Sequence, residues 1–528
     1  MPDIYGRSSA LLFVSIVSAI FYVLFKAYNA RKVIHSLREH GLPMPPFNWI
    51  TGHMLAMVPF MKKFLTDASM YHAVTELALS LEKEAFYLDL WPLSEPLLIL
   101  TTPAMTSQLT QEFNPPKPSV IKKALARLTG DPDLFTMSDI MSKQWRAILN
   151  PDFSPNYMLQ QTPKIVDECR VFCEKMRARA CENQIFSLEE DAIRLSLDVI
   201  GIVTLDTHFK YQQSTSWVTE SLRKLIKYTS SSTELGLSKR WNPIRIYNLW
   251  HHGRKINRYI EAELDKRFLK LQHSHNPKHA TKTAKPLITL ALDAYLAEQK
   301  TNTASLYSPY LATLDPTFKR SARIHLRHLL LTPTTTLSRT IAHTLHLLAT
   351  HPPSLSRLRA EHNRVFGTNT SADPNRVGNL LAAVPGLLNH LPYTTACVNE
   401  ALRLSAAGPG FGPRVGGGQK GEKNVVLVGS DGTRYPTAGC KVVPLHRDRR
   451  CDPAALMHPD VFMPERWMPA ATAGSGDALR VAEGGLNPTT LLFLIDERKD
   501  ISLALFLCQF RWSLPTPIFE IDVDTWMC

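Results

Sequence analysis

The sequence predicts a mainly helical chain with a minor β component, tethered to a membrane by one amino-terminal helix. Three observations carry this reading: an uncharged apolar run near the start, apolar stripes at helical spacing through the body, and few strand signals. The 44% hydrophobic and 20% charged content is a globular balance and excludes a disordered chain. The 528 residues have room for three domains or one unusually large one, at roughly 150 residues per domain. Eight cysteines are too sparse for a disulfide scaffold. A net charge of +13 suits an acidic partner or an anionic membrane surface. Nucleic acid is not indicated, because no dense Lys/Arg stretch carries interleaved aromatics.

Ser8 to Phe25 reads SSALLFVSIVSAIFYVLF, without a charge. As a helix it is about 27 Å long, close to the hydrocarbon thickness of a bilayer. Arg7 precedes it and Lys26, Arg31 and Lys32 follow. That asymmetry puts the bulk of the chain in the cytosol. A cleaved signal peptide is the rival reading. Arg7 is the only positive residue before the run, however, and the flank AYNARK offers no small-x-small site. Residues 1–26 are therefore expected to form the anchor, 27–47 a proline-rich spacer, and 48–528 a single domain. In the spacer, GLPMPPF from Gly41 to Phe47 fixes φ and removes backbone donors. No other run is long and free of charge, which excludes a multi-pass transporter.

Along the body, Ser187-Leu188-Glu189-Glu190 reads as a capping box opening a helix through Leu195 and Val199. Leu337, Ile341, Leu345 and Leu348 share one helical stripe, ended by His351-Pro352-Pro353. Leu355, Leu358, Val365 and Phe366 form the next, stopped by Gly367. Val425 to Val428, Asp431-Gly432 and Tyr435 read as a hairpin with a tight turn. Residues 273–303 are polar and read as a long surface connection, interrupted by Leu287-Ile288.

Glu400 and Arg403 lie three apart in LPYTTACVNEALRLS, on one face of a helix. A lone pair of this kind is ordinarily a solvated ion pair. Downstream, Pro464-Glu465-Arg466-Trp467 offers Arg466 as a second partner for Glu400. A buried carboxylate needs full pairing, and a Glu–Arg–Arg network would supply it.

These motifs together resemble a microsomal haem-thiolate monooxygenase, a cytochrome P-450 of the type common in fungal secondary metabolism. The resemblance covers residues 8–467. It includes the anchor, GLPMPPFNWITGH, NPDFSP, LDPTF, HLLATHPPSLSRLRAEHNRVFG, LPYTTACVNEALRL, DGTRYPTAG, LHRDRRCDP and HPDVFMPERW, in that order. It implies a helix-rich prism behind a transmembrane helix, with haem between two long helices and a cysteine thiolate on the iron. It further implies a lipophilic small-molecule substrate that is hydroxylated, and electrons from NADPH through a flavoprotein reductase. The place implied is the endoplasmic reticulum membrane, crossed once, with the globular body in the cytosol. Glu400, Arg403 and Arg466 would brace the haem-binding core. Arg146 and Arg414 would hold the propionates.

The sequence departs from the family pattern at three places. The central helix should read small residue, Gly, any residue, acid, Thr. Here Thr332, Pro333, Thr334, Thr335 and Thr336 stand there. Thr336 keeps the hydroxyl that assists oxygen activation, Thr335 replaces the acid, and Pro333 replaces the Gly. A mid-helix proline removes a hydrogen bond and kinks the backbone. The helix over the haem edge should read W-x-x-x-R, but Ser142 replaces the Trp before Arg146. The ligand loop F-x-x-G-x-R-x-C-x-G is absent, and Met468 to Lys499 holds no cysteine. Cys508, in LALFLCQFRW, is the one cysteine at a tolerable distance for the iron ligand. It lacks the flanking Gly and Arg, and LALFLCQFRW itself resembles the segment that follows the loop, which would put the ligand near EGGLN. Cys169 and Cys173 read as core. His325/His328 and His343/His346 lack the carboxylates of a di-iron or zinc site. The expectation is a monooxygenase. The alternative is a catalytically inactive relative, or a chain whose deduced end is wrong, lacking the ligand cysteine. A haem-free tethered binding protein would have to keep a pocket without its central cofactor.

Overall fold

The computed structural model describes residues 2–63, 70–113, 155–182, 185–230, 242–273, 285–302, 313–368, 373–404, 414–416, 425–445 and 458–468, with scattered residues between 115 and 149. Among the described residues the chain is mainly helical with two small sheets. It divides into two compact units, one of Met1–Ser119 with Pro409–Arg450 and the last six residues, the other of Val120–Gly408 with Cys451–Asp522. The stretch 48–528, read from sequence as one domain, divides in this way because strands far apart in sequence pair with one another.

In the first unit, α1 (Pro2–Glu39) runs without a break past the expected boundary at residue 26. The spacer therefore shortens to residues 40–47. Residues Phe13–Glu39 are long and apolar enough to cross a membrane. Phe13, Phe21 and Phe25 are exposed, whereas Ile34 and Leu37 are buried. The helix therefore has a bare half and a docked half.

Helices α2 (Met54–Met61) and α3 (Met70–Leu81) lead to strands β1 (Ala85–Leu88) and β2 (Leu97–Leu100). A short helix, α4 (Pro103–Ser107), follows. Later in the chain come β3 (Arg414–Val415), β4 (Val426–Val428), β5 (Arg434–Pro436) and β6 (Lys441–Pro444). The main sheet has the order β1-β2-β6-β3, with β2 and β6 parallel. Side-chain alternation gives it two buried faces. Ala85, Tyr87, Leu98, Leu100 and Val442 pack against Ile34 and Leu37 of α1 and against the β4–β5 hairpin. Phe86, Leu88, Ile99 and Val443 pack against Met57 of α2 and Val74 and Leu77 of α3. The hairpin pairs Leu427 with Tyr435. The tight turn expected at Asp431-Gly432 is there: Gly432 N–H donates to the Gly429 carbonyl at 3.0 Å, and Gly429 N–H to the Thr433 carbonyl at 2.9 Å. The proline segment is no free spacer. Leu42, Met44 and Phe47 pack on the sheet, and Tyr87 N–H donates to the Pro43 carbonyl at 3.0 Å.

One ion pair ties α1 to this sheet. Arg31 is 2% exposed and pairs with Asp89, which is fully buried. Arg31 Nε and Nη2 donate to the carbonyls of Trp49 and Ile50, each at 3.1 Å. A Cβ at Gly52 would come within 2.6 Å of the guanidinium, and φ there is +62°, so glycine is required twice over. Arg31 was counted from sequence among the charges facing the cytosol. It is instead consumed inside the body, leaving Lys26 and the exposed Lys32 in that role.

In the second unit the long helices are α5 (Pro155–Cys181), α6 (Leu188–Leu205), α7 (Trp217–Ser230), α8 (Pro243–His273), α9 (Leu287–Asn302) and α10 (Pro316–Thr350). Ser187 caps α6 by accepting from Glu190 N–H at 3.3 Å. Asp315 caps α10 through Phe318 N–H at 2.9 Å, and Pro316 stands at the first turn, where its missing N–H costs nothing. Leu337, Ile341, Leu345 and Leu348 are all buried along α10. Helix α11 (Pro352–Phe366) stops at Gly367, whose φ is +81°. Helix α9 corrects the expected surface connection over 273–303. Leu287, Ile288, Ala291, Leu292 and Tyr295 form a buried stripe, so the pair read as an interruption is the first turn of a core helix.

Two outcomes are expected of the Arg31 joint. Asp89→Asn leaves a buried guanidinium without a countercharge and should cost about 3–5 kcal/mol in urea unfolding, most of it recovered by Arg31→Met with Asp89→Leu. His53 accepts from Asp89 N–H at 2.8 Å, and burial lowers its pKa from 6.5 to about 4. Its neutral form is favoured on folding. The stability it contributes is therefore full above pH 6.5 and lost as pH falls toward 4. His53→Asn should flatten that limb of a stability-against-pH curve.

Candidate functional site

The centre of the second unit's polar core is Glu400, on α13 (Pro392–Leu404), the helix that follows α12 (Pro374–Ala383). Its carboxylate is fully buried. Arg403 Nε and Nη2 donate to it at 2.9 and 2.8 Å. Arg466 Nε donates at 3.3 Å, Trp467 Nε1 at 2.9 Å, and the Met463 backbone N–H at 3.0 Å. The turn Pro464–Trp467 is thereby fastened to α13. Glu400, Arg403 and Arg466, picked out from sequence, do come together. The Trp467 indole and the Met463 amide were missed, because a motif string does not say which of its members donate.

A second carboxylate holds the start of α13. Glu361, on α11, accepts from Tyr393 N–H and Thr394 N–H, both at 2.8 Å, and from Thr394 Oγ1 at 2.7 Å. It replaces the local cap this helix lacks. Glu465 accepts from Tyr393 Oη at 2.8 Å and from Arg357 Nη1 at 3.0 Å. That pair is part exposed and correspondingly weaker. Glu361 had no sequence signal, since its partners are backbone groups.

On α10 the helix runs unbroken from Pro316 to Thr350 with Pro333 inside it. Pro333 cannot donate to the Leu329 carbonyl. Around it the hydroxyls turn inward onto the backbone. Thr334 Oγ1 donates to Leu330 O at 2.7 Å, Thr335 to Thr332 O at 3.2 Å, and Thr336 to Pro333 O at 3.0 Å. Thr335 and Thr336 are half-buried. Thr335, where an acid was expected, is a neutral donor bound to its own helix. Thr336 keeps lone pairs to accept one further bond.

Arg414 stands on β3 of the first unit. Its Nε is buried and has no hydrogen-bond partner, and burial lowers its pKa. Among the described residues no carboxylate pairs with it. Arg146 lies outside the described residues, and so do Cys508 and the whole stretch from residue 469 to the end.

The residues present test the haem that the resemblance implies. A half-buried guanidinium that meets no carboxylate among the described residues fits a propionate. The thiolate fits none of the buried described cysteines. Burial pushes the thiols of Cys173 and Cys440 up to about 12, and those of Cys169 and Cys397 well up too. A ligand thiolate needs the opposite environment. Cys181 is exposed. The described residues thus suit the carboxylate end of a haem and leave its sulfur end to the remaining cysteines, Cys508 among them.

The comparisons agree with one another. The family model Cytochrome P-450 matches residues 43–479. The chain is 30% identical to the cytochrome P-450 monooxygenase polC of Polytolypa hystricis, over 85% of this chain and 77% of the relative. It is 28% identical to the cytochrome P-450 monooxygenase acrF of Aspergillus aculeatus, over 75% and 74%. Among solved structures, the heme domain of a P450DA mutant superposes with a TM-score of 0.62 at 19% identity, covering 88% of this chain and 90% of that one.

The Glu400 geometry makes a graded prediction. Glu400→Gln should cost at least about 3 kcal/mol in chemical unfolding, because two buried guanidinia lose their charge partner. Glu465→Gln, in the part-exposed pair, should cost under about 1 kcal/mol.

Proposed function

The chain belongs to the cytochrome P-450 family of haem-dependent monooxygenases, and on that premise we propose that it hydroxylates a lipophilic intermediate of fungal secondary metabolism from a membrane anchor. The observation that carries the cofactor reading is Arg414, a half-buried cation whose Nε has no hydrogen-bond partner and which pairs with no carboxylate among the described residues. Arg414 would hold a haem propionate, with Arg146 as its companion. Bound haem would supply the activation of dioxygen. This chain's own part is to place and protect it. Glu400, Arg403 and Arg466 brace the core segment that precedes the cofactor loop. Thr336 would assist oxygen activation through its hydroxyl, whose oxygen can accept a further hydrogen bond while its proton rests on the Pro333 carbonyl. Thr335 has no carboxyl to refill it, so ordered water takes that task. Cys508 is proposed as the iron ligand.

The amino-terminal helix supports anchoring in the endoplasmic reticulum membrane by a single pass, with the body cytosolic. Electrons would come from NADPH through a flavoprotein reductase. The net charge of +13 suits an acidic partner of that kind. The absent ligand loop favours one second reading, a catalytically silent relative, or a deduced end that departs from the authentic message.

Purified protein, reduced and treated with carbon monoxide, should show the thiolate-haem absorption band, and Cys508→Ser should abolish it. Arg414→Leu should speed haem loss to an acceptor protein by roughly 10-fold or more, the worth of one charge-assisted hydrogen bond. Colourless protein made from the sequenced transcript would establish the silent reading.

A further inference from the structure

The threonine stretch of α10 holds hydroxyls and no acid, so a proton spent at Thr336 needs another source. Among the described residues no carboxylate hydrogen-bonds to Thr332, Thr335 or Thr336. Thr332 Oγ1 instead meets the Nδ1 of His328 at 3.4 Å, one turn earlier on the same helix. Imidazole is the side chain that gains and loses a proton near neutral pH.

His328, Thr332 and Thr336 follow one another at four-residue steps, so they stack along one side of α10. Thr332, Thr335 and Thr336 are half-buried, whereas Leu331, Thr334 and Leu337 are buried. Water therefore reaches this side of the helix. Thr332 and Thr336 are separated by a rise of about 6 Å, a gap that one water closes with two hydrogen bonds of about 2.8 Å. Pro333 leaves the Leu329 carbonyl without its helix donor, an acceptor beside Thr332 to hold that water. The other candidates on this helix fit less well. His343 and His346 lie beyond Thr336, and burial lowers the pKa of both, that of His343 to about 4, so neither stores an extra proton near neutral pH. Arg339 faces Glu189 at 4.0 Å, and a guanidinium does not give up its proton.

We propose that His328 feeds protons to Thr336 through Thr332 and one water, in place of the absent acid. This rests on the monooxygenase reading above and names the side chain behind its ordered water. Protonated His328 donates from Nδ1 to Thr332 Oγ1. Thr332 passes its own proton to the water, and the water passes one to Thr336 Oγ1. Thr336 turns from the Pro333 carbonyl and releases its proton to the dioxygen being reduced. The ring regains its proton from solvent, to which the residue keeps 7% exposure.

Two measurements test this. In the first, holoenzyme, reductase and NADPH are mixed in air without an organic substrate. With the relay intact, dioxygen, two NADPH and two protons become two waters and two NADP+, and the O–O bond breaks. With it cut, dioxygen, one NADPH and one proton become hydrogen peroxide and one NADP+, and that bond is kept. The share of NADPH that appears as peroxide should rise about twofold or more in His328→Gln and in Thr332→Val, as loss of a proton donor requires. Thr332→Ser, which restores the hydroxyl, should reverse the rise. In the second, nitrogen NMR of isotopically labelled histidines is recorded on the reduced, carbon-monoxide-bound protein without turnover. The Nδ1 signal missing from His328→Gln should move in Thr332→Val and hold in Thr332→Ser. The threonine variants keep the test open if His328→Gln fails to fold. An unmoved Nδ1 signal in Thr332→Val, or a peroxide share equal to that of the natural chain in Thr332→Val, overturns the proposal. Failure of the monooxygenase reading shows separately, as the absence of the carbon-monoxide band from the same preparation.

Discussion

A carboxylate removed from water must be met by donors on each side, and Glu400 shows what that requirement does to a chain. Its two oxygens collect two arginines, an indole and a backbone amide. No single element could supply them. The helix that carries Glu400 brings Arg403, and a turn some sixty residues later brings the rest. Replacing the cluster by apolar residues would be no great loss in stability alone. Its value lies in uniqueness. Only one placement of Pro464–Trp467 satisfies that carboxylate, so the segment leading toward the proposed cofactor loop starts from a fixed point.

The threonine-rich stretch of α10 solves a different problem. Proline takes one donor out of the helix, and the neighbouring hydroxyls bend back onto carbonyls of the same turn. The helix survives, but with its polar groups turned toward itself. In the family pattern an acid at the Thr335 position would draw on its surroundings for protons. Here the local chemistry is neutral, since Thr335 and Thr336 both carry hydroxyls bound to their own helix.

Much of this was readable before any coordinates. The Ser187 cap, the stripe through Leu337, Ile341, Leu345 and Leu348, and the stop at Gly367 follow from local rules of capping and periodicity, and they hold. The meeting of Glu400 with Arg466 was legible because a buried charge has few ways to be satisfied. Other features were hidden for stated reasons. Helix α9 shows an apolar stripe inside a polar stretch, and composition masked it. Arg31 reads as a flanking charge, and only the sheet reveals Asp89 waiting for it. Glu361 bonds to backbone groups, which carry no letter in a sequence. Arg146 and Cys508 lie outside the described residues, so their roles rest on the resemblance.

The Arg31–Asp89 joint also has a mechanical meaning. It clamps the inner half of a helix whose outer half is bare and apolar, with no flexible link between that helix and the sheet. A bilayer thinner than the apolar stretch is accommodated by tilting the helix. In a membrane, any such tilt would become torque on the end of β1, where Asp89 stands. The sheet of the first unit would then turn with the helix, and swapping the lipid environment would be a way of steering it.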